Sequence, residues 1–150
     1  MSGISKKNSS SVPGLILDVR APSNGASGGA TMLFATVDNT QELAAYAANY
    51  SAATGIYTVP VGGHKNVRIV CNLTMSIPAN NGTVNASIMV NGVARSLTTN
   101  PTASALAAFS ARFDLNLKNL VVGDLIKITT SNVTTSSVGV AADFMQIFAS

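Results

Sequence analysis

Reactive side chains are what this chain lacks. One cysteine, one histidine and no tryptophan occur among 150 residues, with six carboxylates scattered between them. Cys71 alone cannot close an internal disulfide, and Cys71 with His64 falls short of a zinc ligand set. Serines abound, but no Gly-x-Ser-x-Gly elbow accompanies His64, which sits beside the Gly62-Gly63 turn and reads as a solvent-exposed turn residue. Asp124 follows Gly123 with no second carboxylate near it to share a calcium ion, so it too reads as a turn residue. Asp114 alternates with Arg112 and Asn116, the pattern of a solvated strand face rather than of an acid–base pair. The glycine-rich segments at 25–29 and 62–63 lack the Lys-Ser/Thr ending of a phosphate loop. The expectation is a protein without catalytic residues, cofactor or metal.

Charge is scarce as well. Charged residues make up 10% of the chain, against roughly 25% in an average domain. Apolar residues reach 47%, so part of the surface is expected to be covered by copies of the chain or by another protein. Nine Lys and Arg give a formal charge of +3, but only Lys6-Lys7 are adjacent and no aromatics interleave them. That spacing argues against nucleic-acid binding. The short run Leu15-Ile16-Leu17 is cut off by Asp18, so neither a secretory signal nor a membrane span is expected.

What the sequence does contain is alternation. From Val67 to Ile77, the residues Val67, Ile69, Cys71, Leu73, Met75 and Ile77 share one parity, while Arg68, Asn72, Thr74 and Ser76 fall on the other with Val70. A period of two means a strand with one buried face, which places the Cys71 thiol inside. Thr54 to Pro60 leads into it through Val61-Gly62-Gly63. Met32 to Val37 reads as an earlier strand, Val84 to Val90 and Val93 to Leu97 as a hairpin about Asn91-Gly92, and Ala111 to Leu117 as another half-buried strand. Leu125 to Thr130 follows a Gly123-Asp124 turn, and Val138 to Phe148 closes the chain with both faces largely apolar. Leu43, Tyr46, Ala47 and Tyr50 recur at helical spacing behind Asn39 and Glu42, which admits a short helix there.

Residues 1–30 are rich in Ser, Gly, Asn and Pro and are expected to form an extended N-terminal arm ahead of a sandwich spanning 31–150. The arm is either a flexible tail or an anchor, and the anchor would be Val12, Leu15, Ile16, Leu17 and Val19. About eight strands, frequent turn signals and no long helix together predict an all-β, antiparallel sandwich of jelly-roll type. An immunoglobulin-like sandwich is the rival, weakened by the missing Trp and the single Cys.

The order of Tyr50, Thr54-Gly55-Ile56-Tyr57-Thr58-Val59-Pro60, Gly63-His64, Val90-Asn91-Gly92, Phe113 to Leu117, Leu120 to Ile126 and a last strand centred on Phe144 resembles the jelly roll shared by tumour necrosis factor and complement-type globular heads. The resemblance covers about residues 30–150; the family often has a glycine where this chain has Asp143. It implies a homotrimer, with Tyr57, Phe144, Ile147 and Phe148 at the interface. Versions of this fold with few cysteines and an N-terminal arm resemble the capsid decoration (cement) and fibre proteins of tailed bacteriophages. That implies a structural virion protein made in the host cytoplasm, binding the major capsid or another virion protein through its arm, with no nucleic acid or membrane partner. The alternative is a carbohydrate- or receptor-binding fibre tip using Tyr46, Tyr50, Asn80 and Asn81. A small hydrolase is the least supported reading, since no acid–base set is visible.

Overall fold

The computed structural model describes residues 14–24, 31–37, 48–76, 84–100, 108–131, 135–136 and 143–150. All regular structure among them is β. The strands are β1 (Leu15–Asn24), β2 (Met32–Val37), β3 (Tyr50–Ser51), β4 (Ile56–Thr58), β5 (Val67–Ser76), β6 (Val84–Val90), β7 (Val93–Asn100), β8 (Ala108–Leu117), β9 (Leu125–Ser131), β10 (Thr135–Ser136) and β11 (Phe144–Ala149). No helix among the described residues is long and apolar enough to cross a membrane.

The pairings are antiparallel and nested. β1 pairs with β11, β4 with β9, β5 with β8 and β6 with β7, so the chain behaves as one long hairpin rolled on itself. This is the jelly-roll order expected from the turn spacing. The six-stranded sheet runs β8-β5-β11-β1-β2, with β10 continuing along β5 beyond β11, and the five-stranded sheet runs β3-β4-β9-β6-β7. The two layers enclose a single core that includes Leu17, Phe34, Ile69, Leu73, Ile88, Ile126, Ile128 and Ile147.

Local sequence explains most of these elements. In β5, Val67, Ile69, Cys71 and Leu73 are buried and Arg68 is exposed, as the alternation requires. Asn91 and Gly92 take φ of 49° and 80°, the left-handed pair of a tight hairpin turn whose twist matches its strands. On one side the sandwich is sealed by β2: Thr31 bridges to Thr129 of the opposite sheet, and the Phe34 N–H donates to the Tyr50 hydroxyl at 2.9 Å. On the other side β7 and β8 end their sheets as edges.

The N-terminal boundary needs correcting. Leu15–Asn24 is not part of an arm but a strand lying between β11 and β2. Leu15, Ile16, Leu17 and Val19 are between 0% and 2% exposed, so their apolar surface is already covered by their own chain. The folded body therefore begins by Gly14, whose carbonyl accepts from the Ala149 N–H at 2.7 Å. Val12 lies outside the described residues, as do Leu43, Tyr46 and Ala47 of the expected helix; Tyr50 of that segment is in strand β3.

Candidate functional site

On the outer face of the six-stranded sheet, charged, aromatic and aliphatic side chains are interleaved in register. Strand alternation fixes it: with Met145 and Ile147 in the core, Phe144, Gln146 and Phe148 of β11 face outwards and are half-buried. Cross-strand pairing sets them into three rows. The first is Leu15, Phe148, Arg68 and Asn116; the second Asp18, Gln146, Val70 and Asp114; the third Arg20, Phe144, Asn72 and Arg112. Leu15 takes its place in the first row through a register shift of β1 between Leu15 and Leu17, but at 2% exposure it is covered by the chain itself and offers no free surface.

Most charges on this face are neutralised within the chain. Arg20 donates from Nε and Nη2 to the two Asp18 carboxylate oxygens at 3.1 and 3.0 Å, and Gln146 Nε2 donates to Asp18 Oδ2 at 2.9 Å. Arg20 also lies 5.7 Å from the centre of the Phe144 ring, within cation–π range. Arg68 forks onto Asp114 at 2.7 and 2.5 Å, which holds the Asp114 carboxyl below its ordinary range and raises the guanidinium. Arg112 donates from Nε to Asn72 Oδ1 at 3.1 Å and makes no ion pair among the described residues. Between these groups lies a shallow depression of about 370 Å³, lined by Val70, Asn72, Arg112, Asp114 and Phe144.

Under that face sits a buried carboxylate. Asp143 is 0% exposed and accepts from the Thr74 N–H at 2.7 Å, Thr74 Oγ1 at 3.1 Å and Asn72 Nδ2 at 3.2 Å. β11 pairs with β5 only from Val67 to Asn72 and β10 only at Met75 and Ser76, so this carboxylate occupies the gap between them and takes the Thr74 donor. The Cys71 thiol, also buried, is pushed up by burial and further by Asp143, so it is held as an unreactive thiol.

The other residues singled out by sequence fall apart in space. Tyr57 and Ile147, expected at a subunit interface, are 3% and 0% exposed inside the single chain, and only Phe144 and Phe148 of that set face outwards. Tyr50, expected in a glycan pocket, is buried, and burial raises its phenol above the ordinary range; Tyr46, Asn80 and Asn81 lie outside the described residues. His64 is an exposed loop residue. Asp124 is in a turn, as expected, but it is a buried hub: Asn91 Nδ2 donates to Oδ1 at 2.7 Å, the Val121 N–H to Oδ2 at 2.9 Å, and these donors lower its pKa. Among the described residues no three of His, Cys, Asp and Glu come together as a metal-ligand set. What the face offers is a fixed pattern of apolar and paired polar groups, suited to packing against another surface. No protein-family model matches the chain, and no curated protein matches it.

Proposed function

We propose that the chain is a non-enzymatic structural subunit of a virion, a capsid decoration protein that associates as a homotrimer and packs through the outer face of its six-stranded sheet. One observation carries the assembly part: β11, in the interior of the sheet, turns the half-buried Phe144 and Phe148 outwards beside Arg20 and Arg68, whose charges are already matched on the same chain. Aromatics and arginine are the residues enriched at the centre of subunit interfaces. Prior pairing also means that covering the face leaves no lone charge in Asp18–Arg20 or Arg68–Asp114. The scarcity of charge in the whole sequence supports the same reading. The virion part rests on the resemblance of the sequence to phage decoration proteins. Contact with a capsid partner through Leu15, Ile16, Leu17 and Val19 is no part of it, because those side chains are spent in the sheet.

Light scattering tests this directly. The expected mass is three times the 15.3 kDa of one chain, and a double change Phe144→Ser and Phe148→Ser is expected to yield monomers with an unchanged far-ultraviolet spectrum. A monomeric parent chain at high concentration overturns the reading.

A further inference from the structure

The open side of the sandwich, between edges β7 and β8, holds a cleft of about 410 Å³ that none of the foregoing uses. That volume lies within the range of small-ligand sites, roughly 300–1,000 Å³. Leu117 and Leu120, 6% and 5% exposed, form its apolar base, and Arg95 and Lys118 stand on opposite walls. Both cations are exposed and neither has an ion pair among the described residues. Asp124 also lines the cleft and its field reaches Arg95, but both its oxygens are occupied by Asn91 and Val121, so one inward-held carboxylate faces two outward cations.

The remaining described carboxylates do not offset that excess. Asp18 and Asp114 are paired with Arg20 and Arg68, and Asp143 is buried against β5 with its oxygens taken by Asn72 and Thr74. The walls are also fixed in advance. The Asn91 N–H donates to the Leu125 carbonyl at 3.0 Å, the Leu125 N–H to Asn91 Oδ1 at 2.9 Å, and the Leu120 N–H to the Lys65 carbonyl at 2.9 Å. A pre-ordered site loses little freedom when it fills.

From this we infer that the cleft binds a carboxylate carried on an aliphatic stem, the anion held between Arg95 and Lys118 and the stem laid over Leu117 and Leu120. Such a group is presented both by an acidic peptide segment and by a free dicarboxylic acid. Neither cation is among the residues used in the assembly reading, so the two inferences stand or fall separately.

The test is a nuclear magnetic resonance titration of the full chain with glutarate and, separately, with an acetylated and amidated Glu-Val-Glu peptide. Saturable shifts are expected at the amides of Asn91, Lys118, Asn119 and Val121. The double change Arg95→Gln and Lys118→Gln is expected to weaken binding at least about tenfold, the weight of one charge-assisted hydrogen bond. Lys127→Gln, on the outer face of the five-stranded sheet, is expected to leave it unchanged. Binding of both probes assigns the free acid as sufficient, and binding of the peptide alone assigns an acidic segment. Shifts that do not saturate, or that persist undiminished in the double variant, overturn the inference.

Discussion

Gly55 shows how a single residue can hold the two layers together. Its φ is 68°, and a Cβ placed there would run into the Met32 carbonyl at the start of β2 and the side chain of Thr31 just before it. Alanine would meet both a disfavoured backbone conformation and an immovable carbonyl. Gly55→Ala is therefore expected to cost more than about 1 kcal/mol, read as a lower urea midpoint with an unchanged slope. Asp143 acts in the opposite way, by supplying acceptors where neither β10 nor β11 pairs with β5. Its replacement by Ala strands the Thr74 N–H inside the sheet and should cost about 1.5–3 kcal/mol in the same experiment. Asp124 adds a dependence on acid. Its pKa is lowered in the folded state, so its stabilisation is complete above the ordinary aspartate value and is lost as pH falls through the lowered one. The gap in urea midpoint between the parent and Asp124→Asn should be full at neutral pH and shrink below about pH 4. A gap constant down to pH 2.5 would remove the carboxylate from the loop's stability.

At the scale of elements, β5 and the Asn91-Gly92 hairpin were legible because each is written in adjacent residues, by parity and by a turn pair. β1 was not. Asp18 interrupts its apolar run, Pro22 sits within it, and Ser and Gly flank it, so the segment reads as linker. Its order comes from the far end of the chain, where β11 supplies a partner strand and Gln146, 128 residues away, helps to bind Asp18. The candidate face was half legible for the same reason. The outward parity of Phe144 and Phe148 can be read from β11 alone, whereas the Arg68–Asp114 pair spans 46 residues and follows only from the β5–β8 register. Asn91 is similar: its turn is local, but its bonds to Asp124 and Leu125 are not. Because β1 is interior to its sheet, Leu17→Ala, at 1% exposure, should lose about 2–5 kcal/mol, and removing residues 1–24 should abolish the soluble fold. Had this segment been a free arm, both changes would leave the unfolding transition where it was.

For the whole molecule, the nested pairing has an energetic consequence. β1 pairs with β11, the first described strand with the last, so the sheet whose outer face bears Phe144 and Phe148 cannot close until nearly the whole chain is in place. Non-local closure of this kind is expected to make folding slow, and it ties assembly to a completed sandwich. If subunits then associate through that face, binding favours the folded state by mass action, and apparent stability must rise with protein concentration. The thermal midpoint of the parent chain should therefore climb steadily over a hundredfold increase in concentration, whereas that of the Phe144→Ser, Phe148→Ser variant should stay flat. Salt separates this from simple charge attraction. The paired arginines and carboxylates of the face are satisfied within each chain, so a contact centred on the two phenylalanines should survive high ionic strength, which screens exposed charges. A midpoint independent of concentration in both proteins would mean that this face stays in water, and the assembly reading would then have no physical basis.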